Sequence, residues 1–231
     1  MPDFLTASVV QNQLISDKYR QLLFKPSQPF AFVPGQYISL RVAPDRLNNY
    51  SLASLPGEPE LRLLVDTTPA GVGSQYLANL TEGEQIEFLG PMGRFVIHPQ
   101  DNNEQVLFIA TGSGIAPFRP MITAYLDQVT SQTEIKLYWG LRFVNHIFWQ
   151  EYWQSLSDNY KNFEYQIALS QPEEDWPGLV GRVTDWLKHE WHVLLPTSAY
   201  LCGNHQMIVE CRQILQDKGV SPEHIYHEEF W

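Results

Sequence analysis

The chain is poor in cysteine, in positive charge and in long apolar runs. Its 231 residues include two cysteines, Cys202 and Cys211. A cysteine-ligated iron–sulfur cluster draws on about four thiolates, so this chain is not expected to hold one, and no disulfide framework can be built from one pair. Lys and Arg number 15 against 26 Asp and Glu, for a net charge of −11. Such a surface repels phosphate backbones, which argues against nucleic acid and anionic membranes as partners. No window approaches the ~18 consecutive apolar residues of a membrane span. The opening MPDFLTASVV lacks the basic region and apolar stretch of a signal peptide, so the cytoplasm is the expected location. Seven histidines are scattered without paired-ligand spacing, and no metal site is expected. What the chain does have is 44% apolar and only 18% charged residues, enough to pack a core.

Two textures follow one another. Up to about residue 97, short β-branched and apolar runs (Thr6–Val10, Arg20–Phe24, Tyr37–Val42, Tyr50–Ser54, Leu61–Val65, Glu84–Leu89) are punctuated by Pro and Gly. One helical stretch, Ser74–Leu80, interrupts them. Six short strands and one helix predict an antiparallel β-barrel, because closure removes exposed edges. The polar stretch 98–104 is expected to be a linker. From 105 to 231, the apolar runs Gln105–Gly112, Glu134–Gly140, Phe163–Ser170 and Ser198–Gly203 alternate with helical patterns at Gly114–Val129, Asn145–Ser155, Gly181–Trp191 and His205–Lys218. A last strand is expected at His224–His227. That alternation predicts a doubly wound parallel sheet with helices on both faces. Trp149 and Trp153, four apart, are expected to line one helix face as packing.

Chemistry is signalled first by QVLFIATGSGIAPF: a strand, a turn on Gly112-Ser113-Gly114, and a helix entered at Ile115, with Pro117 in its first turn. Glycines let an anion approach the backbone, and a helix start offers unpaired N–H groups. Glycines placed for steric reasons alone are the competing explanation.

Further motifs follow in order: NYSLAS (49–54), GVGS (71–74), GPMGRF (90–95), TGSGIAP (111–117), YWGLR (138–142), CGNHQM (202–207) and EEFW (228–231). With them the chain resembles the ferredoxin-NADP reductase-like superfamily over essentially its whole length, without an attached ferredoxin domain. The resemblance implies a flavin-binding antiparallel barrel (1–97) followed by a nicotinamide-nucleotide-binding α/β domain (105–231), and hydride transfer from nicotinamide to flavin. FAD is the implied flavin, with FMN the alternative.

Tyr50 then matches the aromatic that packs on the isoalloxazine, and Ser51 the hydroxyl near N5. Gly71-Val72-Gly73-Ser74 matches the flavin phosphate-binding turn, where Ser74 is also an N-cap by type. Where the family has an arginine two residues before the tyrosine, this chain has Asn48, and Arg46 is the nearest substitute for meeting the flavin phosphate. Thr111, Gly112, Gly114 and Pro117 match the pyrophosphate and nicotinamide turn, and Cys202 and Gly203 the pair beside the nicotinamide ring. Glu229 matches an acidic proton-path residue, and Trp231 the terminal aromatic that stacks on the flavin.

Gln171 followed by Glu173, Glu174 and Asp175 opposes a 2′-phosphate, which favours NADH over NADPH, with Arg142 and Arg182 as the cations that could still approach it. Three functions stay open: a bound-flavin oxidoreductase feeding a redox protein or oxygenase, a diffusible flavin reductase releasing reduced flavin, and a non-catalytic flavin or nucleotide binder.

Overall fold

The computed structural model describes residues 4–68, 71–98, 103–128, 132–189, 191–192 and 195–229. Residues 99–102 of the expected linker and Trp231 lie outside them. The chain divides into two compact units: 1–97 with 116–124, and 98–115 with 125–231.

The first unit is built on β1 (Leu5–Leu14), β2 (Tyr19–Pro26), β3 (Tyr37–Ala43), β4 (Arg46–Ser51), β5 (Leu61–Asp66) and β6 (Gln85–Met92), with α1 (Val72–Asn79) before β6. All neighbours are antiparallel, in the order β4-β3-β6-β1-β2-β5. The two edge strands meet just past the end of β4. The Ala53 N–H donates to the Arg62 carbonyl at 2.9 Å, and the Arg62 N–H donates to Ser54 Oγ at 2.5 Å. The barrel thus closes on one backbone bond and one side-chain bond. Inward-alternating Val9, Leu22, Phe24, Ile38, Leu40 and Phe88 fill it. Asn12 ties α1 down, its amide donating to the carbonyls of Leu77 (2.9 Å) and Leu80 (2.8 Å) at the helix end.

The second unit carries β7 (Gln105–Thr111), β8 (Glu134–Leu141), β9 (Phe163–Leu169), β10 (Leu179–Val180), β11 (Thr197–Gly203) and β12 (Ile225–Glu229), all parallel, in the order β10-β9-β8-β7-β11-β12. Every residue of β11 is buried, and all of β7 except Thr111, as a central strand covered on both faces requires. The order runs outward from β7 in both directions, so the topological switch lies between β7 and β11. Helices α3 (Gln150–Asn159), α4 (Val183–His189) and α5 (His205–Asp217) belong to this unit.

Two expected helix starts are corrected. Gly112–Ile115 winds as a 3-10 turn, and α2 begins at Phe118, running to Leu126. A helix from Gly114 would place Pro120 past its first turn, where a missing N–H breaks the ladder; from Phe118 it sits inside the first turn. Likewise α3 begins at Gln150, after Trp149 in left-handed backbone (φ 53°). Trp149 therefore precedes the helix instead of sharing a face with the fully buried Trp153.

Candidate active site

In the first unit, side-chain alternation puts Arg46, Asn48 and Tyr50 on one face of β4. Arg46 Nε donates to Asn48 Oδ1 at 3.3 Å. Burial pushes the Tyr50 phenol above its ordinary range, opposed by the Asn48 hydrogen bond and the Arg46 charge, so it stays a neutral hydroxyl near pH 7.

The start of α1 lies against this row. A Cβ at Gly73 would overlap Asn48 Nδ2 and stand 2.5 Å from Tyr50 Oη, so glycine lets the helix start come close to both side chains. Among the described residues, no side chain caps the start of α1. Its N-cap is Gly71, and the Ser74 hydroxyl donates back to the Gly71 carbonyl at 3.1 Å, so Ser74 does not cap the helix. An arginine, an amide and a phenol beside an uncapped helix start form a donor set suited to a phosphate anion. Ser51 alternates to the opposite face, 5% exposed, in register with Tyr37.

In the second unit, Thr111 ends β7 and Gly112 and Gly114 follow it, while Cys202 and Gly203 end β11 and Asn204 follows. Asn204 caps α5 by accepting from the Met207 N–H at 2.9 Å. Its own amide donates to Thr111 Oγ1 at 3.2 Å and so joins the two strand ends. A Cβ at Gly114 would overlap the Cys202 carbonyl oxygen, and one at Gly203 would overlap Thr111 Oγ1. The steric reason for both glycines is therefore the β7–β11 approach itself. Gly112 sits in left-handed backbone (φ 56°), and its carbonyl accepts from the indole N–H of the buried Trp139 at 2.9 Å. The anchored turn lies at the carboxyl edge, where open α/β sheets bind ligands.

The Cys202 thiol is wholly buried, and burial holds it well above its usual range as a neutral thiol. Glu229 pairs with Gly203 in the β11–β12 register, and Glu229 Oε2 lies 3.0 Å from His205 Nδ1. Thus Thr111, Gly112, Gly114, Cys202, Gly203 and Glu229 share one edge of the sheet. Pro117 is grouped with the first unit, in its 116–124 segment, and its carbonyl accepts from the Met121 N–H at 3.2 Å. Arg142, after β8, donates from Nε to Gln171 Oε1 at 2.9 Å.

Two family models match. Residues 6–97 match the oxidoreductase FAD-binding domain, and residues 108–213 the oxidoreductase NAD-binding domain. The chain belongs to the ferredoxin-NADP reductase-like superfamily. It thus carries an FAD-binding and an NAD-binding domain.

The chain is 27% identical, over 98% of its length and 69% of the relative's, to the ferredoxin–NAD(P)+ reductase component of a Pseudomonas putida naphthalene 1,2-dioxygenase system. It is 32% identical, over 71% of its length and 41% of the relative's, to one component polypeptide of a Marinomonas Na+-translocating NADH-quinone reductase. It therefore spans from under half to about two thirds of these relatives' lengths. Among solved structures, the Amycolatopsis cytochrome P450 reductase GcoB aligns at TM-score 0.90 and 27% identity, covering 99% of this chain and 70% of the other. A Neisseria gonorrhoeae ferredoxin NADP+ reductase with bound FAD and NADP shares the fold, at TM-score 0.87 and 20% identity over the whole of both chains.

Three residues at these sheet ends were not singled out from the sequence. Asn204 was legible as an N-cap type just before a helix. Trp139 and His205 carried no such signal, because their partners are fixed only by strand order. Among the described residues, no group of three or more His, Cys, Asp or Glu is arranged to hold a metal ion, and no helix is long and apolar enough to cross a membrane.

Proposed function

We propose that this reductase takes hydride from NADH onto FAD and passes the electrons to a separate redox protein or oxygenase. The observation that carries the reading is the Arg46–Asn48–Tyr50 row packed against the uncapped start of α1. The division of labour is flavin on 1–97 and nucleotide on 105–231. Flavin, when bound, supplies a ring that accepts hydride and gives up electrons singly or in pairs. Arg46, Asn48 and the backbone of Gly71–Ser74 hold its phosphate, and Tyr50 packs on its ring. Ser51 holds a hydroxyl at N5, able to donate before reduction and accept afterwards. The Thr111–Gly114 turn receives the pyrophosphate of NADH. Cys202 and Gly203 shape the nicotinamide position, and Pro117 sets the course of the chain after the turn. Glu229, braced by His205, handles protons. The names of the dioxygenase and quinone-reductase relatives support an electron-transfer role with a larger system as acceptor.

A second reading, a diffusible flavin reductase, is favoured by the single observation that Asn48 stands where the family has arginine. Gel filtration of freshly purified protein separates the two. Flavin colour that travels with the protein supports the first; colourless protein that oxidises NADH only with added flavin supports the second. Arg46→Ala is expected to raise the FAD dissociation constant by about tenfold or more, the loss of one charge-assisted contact of roughly 1.5–3 kcal/mol. Fluorescence titration with FAD checks this, and an unchanged constant removes Arg46 from the site.

NADH preference rests on the acids Glu173, Glu174 and Asp175 near the end of β9, together with Gln171, whose amide oxygen occupies Arg142. Neutralising the three acids to amides is expected to raise kcat/KM for NADPH by roughly three- to tenfold, because exposed like charges act weakly through solvent. If the NADPH-to-NADH ratio stays put, the ribose binds elsewhere.

A further inference from the structure

The corner just past Ser51 is held from a distant part of the chain. Past Ser51 the Leu52 N–H still follows the β3 register, donating to the Gln36 carbonyl at 3.0 Å, and the Ala53 N–H then turns to Arg62 on the other edge strand. The Ala53 carbonyl accepts from Arg119 Nη1 at 2.7 Å. Arg119 lies in α2 and is only 9% exposed. Its Nη2 also meets Glu58 Oε1 at 3.3 Å, while Glu58 Oε2 accepts from the Leu55 N–H at 3.0 Å. One guanidinium and one carboxylate therefore fix both the corner and the loop that follows it. A buried charge is costly unless paired and hydrogen-bonded. Neither group contributes to the apolar core, so stability alone gives a weak reason for placing an ion pair there.

We propose that Arg119 is a positioning residue: through the Ala53 carbonyl it fixes the height and tilt of the Tyr50–Ser51 edge that faces the flavin. This rests on the reading of Tyr50 and Ser51 given above. A planar fork suits the task, since one nitrogen holds the carbonyl while another is oriented by Glu58. Leu52 and Ala53 are wholly buried, so a shift of the corner is transmitted along β4 rather than absorbed by solvent.

Arg119→Met removes the donors at similar length, and Arg119→Lys keeps a charge and one donor. In the FAD-loaded protein, Arg119→Met is expected to alter the visible circular dichroism of the flavin. It is also expected to slow flavin reduction at saturating NADH by about tenfold, with KM for NADH within about twofold, since misplacement of a reacting edge acts on the chemical step. Arg119→Lys should restore most of both signals. Should Arg119→Met fail to fold, Glu58→Gln decides, with the same changes expected at about threefold in rate. A folded variant with lowered melting temperature but wild-type flavin dichroism and reduction rate overturns the proposal. Ser51→Ala measured alongside separates the two claims. If it is silent while Arg119→Met moves the dichroism, the reading of Ser51 falls and Arg119 stands. If it slows reduction while Arg119→Met matches wild type in both signals, Arg119 falls alone.

Discussion

Gly114→Ala is expected to destabilise the nucleotide-binding domain and to raise KM for NADH, with FAD binding left intact. The new methyl group would overlap the Cys202 carbonyl oxygen and stand 2.6 Å from the Cys202 carbonyl carbon and 2.9 Å from Gly203 Cα. All three are backbone atoms, so no rotamer change relieves the clash, and the ends of β7 and β11 must separate. Overpacking of this kind costs about 1–3 kcal/mol. For a chain of this length that is a fall of roughly 3–10 °C in Tm. The same separation stretches the Asn204–Thr111 bridge and moves Cys202 relative to the Gly112 turn. KM for NADH is therefore expected to rise by about ten- to a hundredfold, the effect of losing one or two well-placed contacts. Steady-state kinetics, with flavin absorbance as the control for the other domain, decide it. A variant with wild-type KM for NADH places the nucleotide away from this edge.

Ser51→Ala has the second large expected effect. It should slow flavin reduction by roughly ten- to a hundredfold, at the lower end of what removal of one preorganised donor does to a developing charge. FAD affinity should stay nearly unchanged, because phosphate contacts at Arg46 and α1 hold the cofactor. Ser51 is buried, and trimming one hydroxyl leaves β4 in its register with β3, so the change is local. Stopped-flow measurement of flavin absorbance at saturating NADH isolates the step. A wild-type rate there withdraws Ser51 from catalysis.

These variants also show how far the sequence reaches. The apolar runs of β7 and β11, the Gly-rich turn and the change of texture near residue 100 are local signals, and the strand and helix order could be read from them. Gly114 could be read as special, but its reason could not. The sequence leaves an approaching anion and a steric need side by side, and the backbone that imposes the steric demand, at Cys202, lies on a strand 88 residues further on. Ser74 misled for the opposite reason: its type suits a cap, but Gly71 already supplies extended backbone one residue before the helix. Pro120 did carry the information that α2 starts late, since a proline is tolerated only in a helix's first turn.

Periodicity and Gly and Pro placement, all properties of neighbouring residues, point by themselves to a barrel followed by a doubly wound sheet; the two ligand classes come from the resemblance that the ordered motifs carry. Tertiary structure alone decided that Gly73 meets Asn48 and Tyr50, that Trp139 holds the Gly112 carbonyl, and that Arg119 reaches Ala53 across 66 positions of chain. Those pairings depend on which strands become neighbours, and that choice is made by the packing of the whole core rather than by any segment's own preference.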